Sequence, residues 1–348
     1  MRALTIEPGV ADSIGLEERE APRPAAGELL VRALALGICG TDHELASGAY
    51  GWAPPGRQRL IIGHESLGSV EVAAADSGFR VGDLVVGIVR RADPLPCECC
   101  AAGEWDMCRN DGYTEHGIKA CDGFGAEWFA LPAASAVKLD LALRRVGMLL
   151  EPTSIVAKAW EQIERVAARC HWQPRSVLVT GAGPVGLLAA LLGTQRGYAV
   201  HVLDVVRGGV KAELVAQLGA HYHCDGVDGL GFAPDIVVEC TGVAEVIVSA
   251  VNRIAPCGIV CLAGVSSGGH KMALDIGLFN RSMVLENEVL FGTVNANRRH
   301  YEAAAVALAR AEIGWLERLI TRRVPLAQWR DAFRKSPDDV KTIIDFSL

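Results

Sequence analysis

From Ser176 onward, short apolar runs alternate with stretches of helical periodicity, and this alternation constrains the fold more than any other feature of the chain. The runs SVLVT, from Ser176, and DIVVEC, from Asp235, are nearly continuous in apolar residues, as strands covered on both faces are. Segments such as GPVGLLAALLGTQRG and GVKAELVAQLGA fit between such strands as right-handed helical crossovers. The pattern predicts an α/β fold with a doubly wound parallel sheet.

The chain before this region has a different character. Its short segments ELLVRALALGI, LGSVEVA and GDLVVGIV are separated by Gly and Pro, which is typical of a compact, mostly β domain. After VLFGTV the chain becomes helical again, and periodicity alone does not assign this tail to either region. A length of 348 residues favours two domains.

Charge and composition exclude several classes of function. The net charge is −7 and no run of Lys or Arg exceeds two residues, which argues against nucleic acid and anionic membranes as partners. No segment approaches the roughly 18 apolar residues of a membrane helix, and the N-terminus lacks the pattern of a signal peptide. We therefore expect a soluble cytoplasmic protein whose partners are small molecules or copies of itself.

The cysteines bear on both compartment and chemistry. The chain has 11 of them, and four lie within CECCAAGEWDMC, from Cys97 to Cys108. An odd number cannot pair completely within one chain, and in a reducing cytosol such close spacing is more typical of metal-binding or catalytic thiols. Disulfides are therefore the less favoured interpretation.

The segment VLVTGAGPVGLLAA places Gly181, Gly183 and Gly186 between a predicted strand and a predicted helix. In this setting the first glycine permits the tight turn, the second lets the backbone approach a pyrophosphate, and the third lets helix and strand pack closely. The helix begins at Pro184 and Val185, and its N-terminal N–H groups face the phosphates. These residues predict a dinucleotide-binding site.

The next strand ends at Asp204, about 20 residues further on. A carboxylate at this point accepts hydrogen bonds from the ribose hydroxyls and repels a 2′-phosphate, so NAD is favoured over NADP. Arg207 and Lys211 follow closely and would moderate that preference if they faced the ribose. We interpret them as solvated charges.

Three separate segments of the first region carry residues of the types that bind metal. They are GICGTDHE with Cys39, IIGHESLG with His64 and Glu65, and LLEPTSIVAKAW with Glu151. A single buried Cys or His is more often part of a core than a ligand. Their occurrence together in one domain points to a shared site.

The order of these motifs is that of a known family. G-x-C-G-T-D, Gly-His-Glu, the cysteine cluster, Glu-Pro and G-x-G-x-x-G follow one another as in the zinc-dependent medium-chain dehydrogenases, which the chain resembles over nearly its whole length. Within that superfamily, VRRADP, GEWDMCRN, DGFGAEW, LLEPTSIVAKAWE and FGTVNANRRHY resemble the glucose 1-dehydrogenase branch. The resemblance implies a GroES-like β-barrel catalytic domain in residues 1–152 with a C-terminal return in residues 296–348, and a Rossmann NAD(P)-binding domain in residues 153–295.

The resemblance also implies a catalytic zinc ion. Cys39 and His64 would hold it, and Glu65 and Glu151 would complete or exchange within its ligand shell. A catalytic zinc uses about three protein ligands of these types and keeps one position open. Thr41 would accept the proton of the substrate hydroxyl, and either His43 or Glu65 would relay it.

The family's structural zinc lobe has the spacing C-x2-C-x2-C-x7-C, and Cys97, Cys100 and Cys108 match its last three positions. The first position is Pro94, which cannot bind metal. A tetrahedral structural site needs four donors. The candidates for the fourth are Asp93, Cys99 and Asp111.

The glucose branch further implies substrate contacts at Thr41, Glu115, Glu151 and Asn295. A substrate-binding asparagine found in some members is Ile155 here, which removes one polar contact. Two further contacts to the cofactor are predicted, at Val265 and Thr293.

The leading hypothesis is an NAD-preferring aldose dehydrogenase, with NADP also possible, that oxidises the anomeric hydroxyl of glucose or a similar pyranose to the lactone. Its alternative is oxidation of a secondary hydroxyl in a polyol, cyclitol or aminosugar. A protein that kept this fold without catalysis is less favoured, because the candidate zinc ligands are present. By resemblance we expect a homo-dimer or homo-tetramer, with VLENEVLFGTV as a candidate edge strand.

Overall fold

A computed structural model of the chain describes residues 1–73, 75–266, 271–334 and 336–348. In this described part the chain forms two units, Met1–Ser154 with Asn295–Leu348, and Ile155–Val294.

The first unit begins with short strands. They are β1 (Arg2–Ile6), β2 (Gly15–Glu18), β3 (Glu28–Ile38), β4 (Leu60–Ile61), β5 (Glu65–Val72), β6 (Leu84–Gly87), β7 (Arg90–Arg91), β8 (Thr114–His116), β9 (Ala120–Cys121), β10 (Trp128–Pro132) and β11 (Ala136–Leu139). Helices α1 (Gly40–Ala46) and α2 (Glu98–Ala101) lie between them, with 3-10 turns at Trp105–Met107, Ala133–Ser135, Leu141–Leu143 and Gly147–Leu149.

The second unit alternates helices and strands. Helix α3 (Leu150–Ala167) leads into β12 (Ser176–Thr180), α4 (Pro184–Gln195), β13 (Ala199–Leu203), α5 (Gly209–Gln217), β14 (His221–His223), a 3-10 turn (Val227–Gly229), β15 (Ile236–Glu239), α6 (Ala244–Arg253), β16 (Ile259–Leu262), α7 (Ile276–Leu285) and β17 (Val289–Gly292). All neighbouring strands are parallel, in the order β14-β13-β12-β15-β16-β17.

This strand order confirms the predicted doubly wound sheet. The order reverses direction between β12 and β15, which is where such sheets bind ligands. The central strands are buried along nearly their whole length, because helices cover both faces. Leu178, Val237 and Val260 form part of the apolar core on one face.

The tail consists of α8 (Arg298–Arg310), α9 (Ile313–Leu319), β18 (Ile320–Pro325), a 3-10 turn (Leu326–Gln328), α10 (Trp329–Ala332) and β19 (Lys341–Asp345). Strand β19 pairs antiparallel with β3 and parallel with β18, in a sheet of order β11-β6-β5-β3-β19-β18. The tail, which periodicity left open, therefore belongs to the first unit.

Strand β3 is the centre of the first unit. It alternates buried and more exposed residues over ELLVRALALGI and pairs with β5, β10 and β19. The core beneath it contains Leu29, Val31 and Leu36, each at most 1% exposed, packed with Phe124 and Ile344. Strand β3 thereby brings an early, a middle and the last strand of this unit side by side.

No helix in the described ranges has both the length and the apolar character needed to cross a lipid bilayer.

Candidate functional site

The end of β3 and the start of β5 bring the first candidate metal ligands together. The strands are antiparallel with Gly37 opposite Glu65, so residues just beyond the end of one and just before the start of the other are neighbours. Cys39 Sγ lies 3.1 Å from His64 Nε2. One carboxylate oxygen of Glu65 lies within 4.8 Å of both ligand atoms.

Asp42, in the first turn of α1, orients both residues. Its Oδ2 accepts a hydrogen bond from the Cys39 backbone N–H at 2.9 Å. Its Oδ1 lies 3.6 Å from His64 Nδ1, and within the described ranges neither of these two buried atoms has a hydrogen-bond partner. A carboxylate behind Nδ1 leaves Nε2 as the ligand nitrogen, which is how metal-binding histidines are usually held.

The group carries an excess of negative charge. Burial alone would lower the pKa of His64, but the negative charges of Cys39, Asp42 and Glu151 outweigh burial and raise it well above 6.5. A half-buried cysteine with a buried histidine and a buried carboxylate, carrying surplus negative charge, suits a zinc ion, which takes these ligand types. The residues therefore fit the predicted catalytic metal.

Glu65 is held by a residue that sequence reasoning missed. Lys341, at the start of β19, forms an ion pair with the Glu65 carboxylate and donates a hydrogen bond from Nζ to the Ile38 carbonyl at 2.9 Å. Burial lowers the pKa of Lys341, but the charge of Glu65 more than offsets burial, and the pKa lies above 10.5. The only sequence signal is a lysine at the start of the apolar run KTIID.

Gly37 makes room for this pair. A Cβ at this position would lie 1.9 Å from Glu65 Oε2 and 2.9 Å from Lys341 Cε. Any larger residue would therefore push the two charged side chains apart. The first glycine of G-x-C-G-T-D, two residues before the cysteine, is therefore required on steric grounds.

Glu151 is buried in the first turn of α3. Burial, assisted by the charge of Glu65, raises its pKa to about 7, although His64 acts in the opposite direction. Among the residues that the structure describes, its carboxylate does not join the group of atoms within 4.8 Å of one another. Its role as a zinc ligand stays a prediction.

Thr41 and His43, the predicted proton-transfer residues, lie on α1 directly after Cys39. Both side chains are half-buried. The His43 ring packs edge-on against Phe333 at 5.8 Å between centroids. Both residues therefore follow Cys39 within the first turn of α1, and their part in proton transfer stays a prediction.

Cys97, Cys100 and Cys108 come together as predicted, with ligand atoms all within 4.8 Å of one another. The Arg109 backbone N–H donates to Cys97 Sγ at 3.4 Å, and this and neighbouring backbone N–H groups lower the pKa of Cys97 to about 7. Burial, followed by contact with the other two thiols, raises the pKa of Cys100 to about 11. Three thiols with these interactions suit a cation, so the residues fit a structural zinc.

The fourth ligand of this lobe is not part of that cluster, since within the described ranges no fourth ligand atom joins it. Asp111 is directed elsewhere, because its Oδ1 accepts a bond from Lys119 Nζ at 2.6 Å and its side chain is 80% exposed. Asp93 is buried, and its Oδ1 accepts a bond from the Leu95 N–H at 2.8 Å. Cys99 is half-buried, so Asp93 and Cys99 stay open as alternatives.

The predicted substrate residues Glu115 and Asn295 lie in direct contact. Asn295 Nδ2 donates to Glu115 Oε1 at 2.5 Å. Glu115 is buried, and Asn295 adopts a positive φ of 63°, which asparagine tolerates better than most residues. Chain positions 180 residues apart thus meet in one polar group.

The glycine-rich turn of the second unit has the geometry that its pattern predicts. Gly181 has a φ of 88° and donates its N–H to the Leu203 carbonyl at 2.7 Å. A Cβ on Gly186 would lie 1.8 Å from the Gly181 carbonyl oxygen, whereas a Cβ on Gly183 would meet no atom within 4 Å. Helix α4 begins at Pro184 without a side-chain cap, so its first N–H groups fit a pyrophosphate.

Asp204 is already engaged by the chain itself. Its Oδ2 accepts from the Ala182 N–H at 2.7 Å, and its Oδ1 accepts from the Val206 N–H at 2.9 Å. Lys211 Nζ lies 3.2 Å from Oδ2, and the Lys211 side chain is 13% exposed. The interpretation of Lys211 as a solvated charge is therefore wrong, because the buried Asp204 attracts it, whereas Arg207 is exposed and pairs with Asp225.

This pairing weakens the argument for NAD, because Lys211 balances the charge that would repel a 2′-phosphate. Of the other predicted cofactor residues, Val185 lies in the first turn of α4, whereas Val265 and Thr293 lie on loops that follow β16 and β17. The Val265 side chain is 73% exposed. Thr293 Oγ1 is buried and has no hydrogen-bond partner within the described ranges.

Comparison with known proteins agrees with this geometry. Residues 25–141 match the family described as the alcohol dehydrogenase GroES-like domain, and residues 144–346 match the glucose dehydrogenase C-terminus. Glucose 1-dehydrogenase of Methanocella arvoryzae is 40% identical over 356 residues, with 99% of each chain covered. The enzyme of the same name from Thermoproteus tenax is 38% identical over 352 residues, with 99% of each covered.

A solved structure agrees as well. Haloferax mediterranei glucose dehydrogenase, in complex with NADP, Zn and gluconolactone, matches with a TM-score of 0.92, 33% identity and 100% of both chains covered. The fold and the match to the GroES-like domain place the chain among the zinc-dependent medium-chain dehydrogenases. Within that class, it belongs to the glucose 1-dehydrogenase family, which confirms the resemblance seen in the motifs.

Replacing Lys341 with Met should destabilise the protein strongly, because the buried Glu65 carboxylate would lose its counter-charge. We expect the free energy of unfolding to fall by about 3 kcal/mol or more. Urea unfolding followed by circular dichroism measures the loss. The matched control is Lys138→Met, which removes a half-exposed ion pair with Asp83 and should cost under about 1 kcal/mol. Equal losses in the two variants would contradict the role of the buried pair.

Zinc content tests the two metal groups separately. We expect about two zinc ions per wild-type chain, and about one in each of Cys39→Ser and Cys108→Ser, because each variant removes a ligand from a different group. Elemental analysis by mass spectrometry after dialysis gives the stoichiometry. A wild-type chain with one zinc ion that Cys108→Ser retains would show that the lobe binds no metal.

Proposed function

We propose that this zinc-dependent NAD(P) dehydrogenase oxidises the anomeric hydroxyl of D-glucose, or of a similar pyranose, to the aldonolactone. The main support is the group formed by half-buried Cys39 with buried His64 and Glu65, in a chain of the glucose 1-dehydrogenase family. The related Haloferax mediterranei enzyme is in complex with gluconolactone, which is the product that this reaction gives from glucose.

Each part of the site has a chemical role. A zinc ion held by Cys39 and His64 would supply Lewis-acid polarisation of the substrate oxygen. NAD(P), held at the glycine-rich turn, supplies the ring that accepts the hydride. Asp42 orients His64 and Cys39, and the Glu65–Lys341 pair sets the charge around them.

The hydroxyl proton leaves by way of Thr41 in our proposal. Of the two predicted relay residues, Glu65 is buried and its carboxylate is already engaged in the ion pair with Lys341. His43 is half-buried on α1 and lies nearer to solvent. We therefore propose Thr41 followed by His43.

Sugar hydroxyls need partners, because a polar ligand must exchange its bonds to water for bonds to protein. Glu115, Asn295 and Glu151 would provide them. With a pKa of about 7, Glu151 can either donate or accept a hydrogen bond at neutral pH. Tyr50 and Trp52, stacked edge to face at 5.1 Å and both exposed, offer ring faces for the apolar side of a pyranose.

Ile155 favours a second candidate, the oxidation of a secondary hydroxyl in a polyol, cyclitol or aminosugar. It replaces an asparagine that the resemblance gives as a sugar contact, so one polar contact that would favour glucose is missing. Both cofactors are proposed to be accepted, with the NAD preference still a prediction. We also propose that the enzyme acts in the cytoplasm, since its cysteines are free thiols.

Purified, zinc-loaded protein should reduce NAD or NADP when given glucose, and Cys39→Ser should lose at least about 1000-fold in kcat/KM, because the metal loses a ligand. Absorbance at the NAD(P)H maximum measures the rate across aldoses, polyols and cyclitols. The control is Cys170→Ser, at an exposed position, which should keep full activity. Turnover restricted to polyols or cyclitols would contradict oxidation of the anomeric hydroxyl and favour the second candidate.

We further propose a homo-oligomer formed through the second unit. Strand β17 lies at one edge of the described sheet. Helix α7, which precedes it, exposes large apolar side chains: Ile276, Leu278, Val284 and Leu285. An apolar patch beside an unpaired strand edge is typical of an interface.

Sedimentation at micromolar concentration should therefore show a dimer or tetramer. The double variant Val284→Glu with Leu285→Glu should shift it toward monomer, because charge at the patch opposes burial. Leu141→Glu, at an exposed leucine of the first unit, is the control and should not change the assembly. A wild-type protein that sediments as a monomer contradicts the proposal.

A further inference from the structure

Arg90 is in direct contact with Glu115, one of the predicted substrate residues. Strand β7 pairs antiparallel with β8, and Arg90 stands opposite Glu115 in the register. Arg90 Nε and Nη2 both lie 3.0 Å from Glu115 Oε1. Both side chains are under 10% exposed, so the contact is shielded from water and from salt.

The guanidinium is fixed on its other sides as well. Arg90 Nη1 donates to the Asp106 carbonyl at 3.1 Å. The Tyr113 ring covers the guanidinium, with 3.7 Å from Cζ to the ring centroid. A planar guanidinium engaged through all three nitrogens holds Glu115 Oε1 in a fixed place, which the point charge of a lysine does not.

The two oxygens of Glu115 have different surroundings. Oε1 accepts from Arg90 and also from Asn295 Nδ2 at 2.5 Å. Among the described residues, no group donates a hydrogen bond to Oε2. Because Oε2 is absent from the fully buried atoms without a partner, it keeps some accessible surface. Oε2 is therefore the oxygen available to a ligand hydroxyl.

Asp106 connects this arrangement to the cysteine lobe and the C-terminal segment. It lies in the 3-10 turn between Cys100 and Cys108, and its carbonyl accepts from Arg90. Asp106 Oδ1 accepts a hydrogen bond from Asn297 Nδ2 at 2.8 Å. Asn297 lies two residues after Asn295 in the chain. Asp106 thus bonds directly to Arg90, one donor to Glu115, and to Asn297, a near neighbour in the chain of Asn295, the other donor.

We propose that Arg90 is a positioning residue for the sugar: together with Asn295 it occupies Glu115 Oε1 and presents Oε2 as the acceptor for a substrate hydroxyl. Asn295 then acts mainly through Glu115 rather than as an independent sugar ligand. This inference rests on the proposed sugar dehydrogenase function and adds a residue to its specificity.

A double-mutant cycle tests the proposal on the zinc-loaded enzyme. Arg90→Met should raise KM for glucose by about 10- to 100-fold and change kcat by less than about threefold, because Glu115 binds a hydroxyl that does not react. Glu115→Gln should have a comparable effect. In the Glu115→Gln background, adding Arg90→Met should change KM by less than about twofold, since Arg90 acts through Glu115.

Two further variants serve as controls for the double-mutant cycle. Arg59→Met, which removes a half-buried arginine paired with Glu17 elsewhere in the same unit, should leave KM unchanged. Arg90→Lys keeps the charge without the fork, and it should raise KM several-fold even if Arg90→Met fails to fold. Circular dichroism and zinc content verify that each variant is folded and metallated.

The outcomes separate the two claims. Wild-type turnover of glucose with additive effects in the cycle, or with an unchanged KM in Arg90→Lys, would overturn the positioning role alone. A wild-type enzyme that oxidises no sugar would overturn the proposed function and this inference with it. Loss of the discrimination between glucose and one deoxyglucose in Arg90→Lys would identify the hydroxyl that Oε2 accepts.

Discussion

The ion pair between Lys341 and Glu65 is the contact on which the rest of the site depends. The buried Glu65 carboxylate, beside a cysteine, a histidine and the carboxylate of Asp42, is costly without a counter-charge. The lysine comes from the last strand of the chain, so the C-terminal return supplies the charge that the early strands lack. Position 37 accepts only glycine, because the side chains of Glu65 and Lys341 pack directly against it.

Two cations therefore support two different carboxylates in the first unit. Lys341 serves Glu65 beside the metal group, and Arg90 serves Glu115 in the proposed sugar site. The type of cation suits each position, because a lysine places a compact charge whereas the arginine fork fixes the direction of a carboxylate. The electrostatics of the metal group and the geometry of the sugar group are thus set by residues that need not touch the substrate.

The sequence predicts the parallel sheet, the glycine-rich turn and the cysteine triplet because each depends on local spacing. Gly186 packs against the Gly181 carbonyl five residues earlier, and α4 begins at Pro184 directly after the turn. The roles of Lys341 and Arg90 could not be found in this way, because their partners Glu65 and Glu115 meet them only in the fold, and the segment VRRADP that contains Arg90 does not show which carboxylate it binds. The misreading of Lys211 has the same origin, because only the fold shows that Asp204 is buried beside it.

In our proposal, this arrangement of charges serves oxidation at the anomeric carbon of a sugar. The most direct measurement is carbon NMR of the product formed from glucose labelled with carbon-13 at the anomeric carbon, in the presence of NAD(P). Our account predicts that the labelled signal moves to that of a lactone carbonyl and then to that of the aldonic acid. An unoxidised anomeric carbon, accompanied by cofactor reduction and a ketone elsewhere in the sugar, would contradict it.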